Sequence, residues 1–152
     1  MVISTIFSSG CNIQPTLQEL AHKDADVIFE LIKNEDIDKL SQLFSNEVKQ
    51  EHDLKEEWQS FFENIDGNIV DYDDISYGAE SEGYNEGKLY KQSICVILEK
   101  PKTDTGTVYE EIVYYQTRVF TKNPDREGIN GLKLLTSVEE GEYNYLYVGL
   151  SE

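Results

Sequence analysis

Cysteine is scarce: Cys11 and Cys95 are the only two in 152 residues, which excludes a disulfide framework. Positive charge is also thin. Against 30 acids stand 13 Lys and Arg, for a formal charge of −17, and such a surface repels phosphate backbones and anionic lipid headgroups. The stretches up to and beyond Asp66 carry −9 and −8, so no basic patch is segregated into either one. Nucleic acid is therefore not an expected partner. No apolar run approaches the ~18 residues of a membrane-spanning helix, and no bilayer crossing is expected. Tyrosine is missing from the first 71 positions: all ten lie at or after Tyr72.

Catalytic signatures are missing as well. There is no glycine-rich phosphate loop, no Ser or Cys nucleophile in a recognised setting and no paired metal-ligand motif. No catalytic residue, metal ligand or cofactor is assigned. His22 and Asp26 stand four apart, on what reads as the polar side of a helix, where a solvated pair is expected. His52 has no partner at a defined spacing and reads as exposed. Asp71, Asp73 and Asp74 lack the glycine and distal Glu of an EF-hand, so they read as a charged strand edge.

What is present divides by period. Thr16-Leu-Gln-Glu19 has capping-box spacing, and Leu17, Leu20, Ala21, Ala25, Ile28, Phe29 and Ile32 follow at three- and four-residue steps. These predict a helix to about Asn34. Glu35-Asp36 opens a short second helix with Ile37, Leu40, Leu43 and Phe44 inside, ending at Ser45-Asn46. After a polar link, Asp53 caps a third helix carrying Leu54, Trp58, Phe61, Phe62 and Ile65 on one face, stopped by Asp66-Gly67-Asn68.

Beyond Asn68 the period is two. Strands are predicted at Ile69 to Ala79, Leu89 to Glu99, Thr107 to Lys122, Gly131 to Ser137 and Tyr143 to Leu150, with Gly-, Asp-, Asn- or Pro-bearing connections between them. Helices first and strands after indicate an α+β domain over 16–152, with N-terminal helices packed on a curved antiparallel sheet, and a leader over 1–15. In the third strand alternation puts Tyr109, Val113, Tyr115 and Val119 on one face and Glu110, Ile112, Tyr114, Gln116, Arg118 and Phe120 on the other, and the first, as the more apolar, is expected to look toward the helices. Tyr90, Ile94, Val96 and Leu98 face the core. Cys95 reads as a small buried hydrophobe, although its parity puts it on the opposite, less covered side. Arg118 is expected to pair with an acid on a neighbouring strand.

The N-terminal Met1-Val-Ile-Ser-Thr-Ile-Phe-Ser-Ser-Gly-Cys11, followed by a polar spacer to Pro15, resembles the tail of a bacterial lipoprotein signal peptide, with Cys11 as the lipid-anchor candidate. The helix-then-strand layout, with Phe61-Phe62-Glu-Asn-Ile-Asp-Gly-Asn68 at the junction, resembles the nuclear transport factor 2-like, or cystatin-like, fold. Leu43-Phe44-Ser45, Phe61 to Ile69 and Asp71-Tyr-Asp-Asp-Ile-Ser76 are similar to an uncharacterised family of lipoproteins from Gram-positive bacteria, a domain of unknown function. That resemblance implies a fold and an extracytoplasmic, membrane-anchored location, the cytoplasm being the other possibility, and no catalytic residues.

Two functions are compatible with these residues. One is a non-enzymatic binding domain, contacting a protein partner or a second copy of itself through Tyr114, Arg118 and the alternating Tyr143, Tyr145 and Tyr147. The other is a small-molecule pocket between helices and sheet, with or without catalysis, lined by Trp58, Tyr90, Tyr109 and Tyr115.

Overall fold

The computed structural model describes residues 14–139 and 141–150. Helix α1, Leu17–Lys33, begins at the expected capping box, with the Thr16 hydroxyl accepting from the Glu19 amide and the Glu19 carboxylate accepting from the Thr16 amide. Helices α2 (Ile37–Gln42), α3 (Asn46–Glu51) and α4 (Leu54–Glu63) follow. Asp36, Ser45 and Asp53 each cap their helix by accepting from an amide three residues on. Helix α3 stands where the sequence suggests a polar link. It buries only Val48, so it has no apolar stripe for periodicity to detect.

Strands β1 (Ile69–Asp71), β2 (Asp74–Asn85), β3 (Lys88–Glu99), β4 (Lys102–Thr103), β5 (Glu111–Phe120), β6 (Gly128–Glu139) and β7 (Glu142–Val148) complete the chain. Five of them form an antiparallel sheet in the order β2-β3-β5-β6-β7, and β1 pairs separately with β4. The architecture is thus α+β, with N-terminal helices against an open, curved antiparallel sheet. Register shifts in every pairing of the large sheet supply bends that let it curve around the helices.

Several strand bounds differ from expectation, β4 falling within an expected connection and β6 beginning at Gly128 rather than Gly131. The predicted first strand breaks at Tyr72-Asp73 into β1 and β2. The predicted loop from Glu80 to Gly87 is mostly strand, and the reversal needs only Glu86 (φ 48°) and Gly87 (φ 75°) between paired Asn85 and Lys88. Positive φ at both central residues is the hairpin geometry that Asn-Gly usually signals; Glu in the first position hides it. Gly83, which reads as a turn residue, instead lies under the Tyr90 ring, where a Cβ would come within 2.7 Å of Cζ.

The inner face of the sheet is defined by cross-strand rows. Tyr77, Val96, Tyr114, Leu132 and Val148 make one, and Ile75, Leu98, Ile112, Leu134 and Leu146 the next. They meet Ala21, Ala25, Ile28, Ile32, Leu40 and Trp58 in one core cluster. Trp58 is fully buried, 5.2 Å from Phe61 edge-on and 5.5 Å from Phe62 in a stack, contacts that contribute about 0.5–1.5 kcal/mol each beyond burial.

The parity assigned to the third predicted strand is corrected here. Ile112 and Tyr114 are wholly buried under the helices, whereas Tyr115 is 39% exposed on the outer face with Val113. Tyr109 is in the core, but it precedes β5 in irregular backbone, so its orientation does not propagate into the strand. In β3 the expected inward residues Ile94, Val96 and Leu98 are in the core.

The corner between α2 and α3 is stitched to the sheet. The Ser45 amide donates to the Ile129 carbonyl and the Ile129 amide donates to the Leu43 carbonyl, both at 2.9 Å, so Phe44 makes a parallel bridge to Ile129. This short segment takes the edge of β6 beyond the place where β7 ends.

Candidate functional site

Between α1 and the sheet lies a cleft of about 170 Å³ lined by Asp24, Val27, Ile28, Leu43, Gln116 and Ile129. Asp24 is on the side of α1 turned toward β5. Its Oδ2 accepts from Gln116 Nε2 at 2.8 Å and from the Arg118 guanidinium. Arg118 therefore pairs with a helix acid rather than across strands, because β5 turns its Tyr114, Gln116 and Arg118 side inward. Tyr114 is correspondingly not a surface residue. Its hydroxyl is buried without a hydrogen-bond partner, as is Gln116 Oε1, and burial together with the Asp24 charge pushes the phenol pKa up. It remains neutral at any physiological pH.

The four residues expected to line a pocket are not brought together. Trp58 sits among Phe44, Phe61 and Phe62. Tyr109 is buried with its hydroxyl accepting from the Asp66 amide at 2.9 Å. Tyr90 packs on Gly83 beneath Lys122, and Tyr115 is on the outer face beside Cys95.

The outer face does assemble the other expected set. Tyr143, Tyr145 and Tyr147 form a ladder along β7, with ring centroids 6.4 Å and 5.7 Å apart. Tyr143 is 60% exposed. Lys133 lies over the Tyr145 ring, 4.5 Å from its centroid, a cation–π geometry. The same face carries a feature that alternation alone does not reveal: Asp74 pairs with Glu99, Glu99 with Glu111, Glu111 with Leu135 and Leu135 with Tyr145. Three acids thus occupy adjacent positions of one cross-strand row, an arrangement that costs stability when nothing neutralises it.

Elsewhere, a broad open groove of about 840 Å³ runs between α2, α3 and α4 past Asp38, His52 and Lys55. Several of its polar groups are already engaged. Lys55 pairs with Asp38 at 2.6 Å. His52, expected to be exposed and alone, is largely buried with Nδ1 2.8 Å from Glu57 Oε1. His22 contacts the Tyr77 hydroxyl at 3.4 Å, and Asp73 pairs with Lys102. Among the described residues no group of three or more His, Cys, Asp or Glu is placed to hold a metal ion, and no helix is long and apolar enough to cross a membrane. Cys11 lies outside the described residues.

Residues 27–139 match the model of a family described as Domain of unknown function (DUF5104). The chain belongs to that family. The DUF5104 match runs from the middle of α1 through β6 and includes Gln116, Arg118 and all three acids of the outer row, while Asp24 and the β7 tyrosines fall outside it. No curated protein matches the chain.

Proposed function

We propose that this DUF5104 chain is a non-enzymatic binding domain that docks a basic segment of another protein on the outer face of its sheet, tethered outside the cell membrane through lipidated Cys11. The observation that carries the docking is the aromatic ladder Tyr143-Tyr145-Tyr147 set beside the acidic row Asp74-Glu99-Glu111, on the face that the helices leave uncovered. Phenol rings provide contact area at low entropic cost and accept cations on their faces. Lys133 over Tyr145 is an internal example of that contact. A cationic segment would also relieve the repulsion within the row, and the charge of −17 steers such a partner from a distance. A second copy of the chain fits less well, since stacking two outer faces opposes like charges. The signal-peptide-like run before Cys11 and the resemblance to a family of Gram-positive lipoproteins support the anchored, extracytoplasmic setting.

The test uses a fluorescent Lys- and Arg-rich decapeptide, with an acidic decapeptide as control, followed by anisotropy at near-physiological salt. Saturable binding of the basic peptide, weakened at least about tenfold in Tyr145→Ala and in Glu111→Gln, supports the reading. Equal binding of both peptides, or binding unchanged by those substitutions, overturns it. The anchor is tested separately, by labelled-palmitate incorporation into the chain expressed behind a complete signal sequence. Label that persists after Cys11→Ser removes the lipoprotein assignment.

A further inference from the structure

We infer that the docked segment enters as a further antiparallel strand on the free edge of β7, with basic and aliphatic residues alternating along it. This rests on the outer-face docking proposed above and specifies the conformation and side-chain pattern of the partner. Among the described residues, β7 closes one side of the five-stranded sheet and pairs with β6 alone.

The direction of its backbone groups follows from the strand beside it. The Glu110 amide donates to the Leu135 carbonyl, so Leu135 turns its backbone toward β5 and away from β7. Leu135 stands opposite Tyr145, and Lys133 opposite Tyr147. In antiparallel pairing, residues of such non-bonded pairs both aim their N–H and C=O groups outward, which puts those of Tyr145 and Tyr147 on the free edge. Two neighbouring bonds agree. The Asn144 carbonyl accepts from Thr136 Oγ1 of β6 at 3.0 Å, whereas the Gly149 amide leaves the sheet to donate to Glu57 Oε2 on α4.

Sheet edges are commonly guarded by Lys, Pro or a bulge. Glu142-Tyr-Asn-Tyr-Leu-Tyr-Val148 contains neither Lys nor Pro, and its residues pair without a gap, because the extra residue of the bulge, Thr136, belongs to β6. The opposite edge is different: β2 skips Gly78 and Ala79 in its pairing. An unguarded, regular edge of this kind accepts an extended segment through main-chain hydrogen bonds.

Beside the edge runs a groove of about 260 Å³, lined by Glu57, Ser60 and Phe61 of α4 and by Tyr145, Leu146 and Tyr147. Side chains of an added strand that stand opposite Tyr145 and Tyr147 share the outer face with the phenol rings. Basic residues suit those places, as Lys133 over the Tyr145 ring illustrates. The residues between them turn toward Leu146 and Phe61, where an aliphatic side chain is covered. Glu57 lines the groove and no Lys or Arg does, so the charge also favours a basic segment. A second β7 would bring no cation and another Glu142.

The experiment titrates the unsubstituted chain, at near-physiological salt, with the fluorescent heptapeptide Lys-Val-Lys-Val-Lys-Val-Lys and with versions N-methylated on the lysines or on the valines. An antiparallel strand with its lysines on the outer face aims the lysine N–H groups at β7 and the valine N–H groups away from it. The parent peptide should bind saturably, lysine methylation should weaken it at least about tenfold, and valine methylation less than about threefold. At saturation the Tyr145 and Tyr147 amides should become slow in deuterium exchange. Equal loss from both methylations, loss from valine methylation alone, or protection along β2 in place of β7 would each overturn strand addition. So would a parent heptapeptide that does not bind while the basic decapeptide does, an outcome that leaves the outer-face docking standing. Failure of both peptides removes the two readings together, and a dimeric chain with Tyr145 and Tyr147 amides already protected would put a second copy on the edge instead.

Discussion

Asp24 on α1 and Arg118 on β5 form an ion pair that spans the helix–sheet interface, and the same carboxylate oxygen takes the Gln116 amide. Both partners are partly shielded, so the pair is worth more than a solvated surface bridge. Asp24→Ala strands two donors at once and should destabilise the fold by about 1–3 kcal/mol. A double-mutant cycle with Arg118→Met should return a coupling of at least about 1 kcal/mol in urea denaturation. Additive effects would mean that the two side chains act independently.

Gly128 is the glycine on which the corner at Phe44 depends. At its φ of 125° an added Cβ would lie 2.7 Å from the Ser45 backbone nitrogen and 2.9 Å from the Leu43 carbonyl oxygen, neither of which can move without breaking the bridge. Gly128→Ala should cost more than about 2 kcal/mol. Gly106→Ala also faces positive φ, but nothing lies within 4 Å of its Cβ position, so only the conformational cost of about 1 kcal/mol applies. Thermal unfolding of the two variants should rank them accordingly.

The Cys95 thiol is buried in the outer face against Gly78, and burial pushes its pKa up, with Glu111 adding to the rise. The thiol form therefore dominates at pH 8, and the reactive thiolate is both rare and covered. In a Cys11→Ser background, alkylation of the native chain by iodoacetamide should be at least about tenfold slower than in denaturant. Equal rates would place Cys95 at the surface.

The capping box gives a pH dependence of definite sign. Hydrogen bonds from the Thr16 amide and hydroxyl hold the Glu19 carboxyl below its ordinary pKa, so the unfolded chain binds its proton more readily than the folded one. The contribution is complete above the unfolded value of about 4.3 and is lost as pH falls through the lower, folded one. Glu19→Gln should therefore flatten the acid limb of the stability curve while leaving the slope above pH 6 unchanged, as followed by circular dichroism.

The helical half and the meander were legible because their signals are redundant. In α1 a cap, a stripe of six buried residues and a polar face agree, and short connections leave an antiparallel sheet few orders to choose from. The site was harder to read for a definite reason. Apolar content favours the face of Val113 and Tyr115 only when Tyr109 is counted with it, and Tyr109 lies outside β5, so that criterion turned Tyr114, Gln116 and Arg118 the wrong way. The Asp24 partner is 94 residues from Arg118, a separation that no local spacing rule bridges. The acidic row was invisible for the same reason: Asp74, Glu99 and Glu111 become neighbours only through register. The tyrosine ladder, by contrast, needs only the alternation inside one strand, and Tyr143, Tyr145 and Tyr147 could be read directly.

The seam between Phe44 and Ile129 has a dynamic consequence. With two backbone hydrogen bonds locking the corner onto β6, α2 and α3 have no hinge at that point and must open together with the sheet. In deuterium exchange the Ser45 and Ile129 amides should behave like central strand positions despite lying in a chain reversal and at a strand end, protected until global rather than local opening.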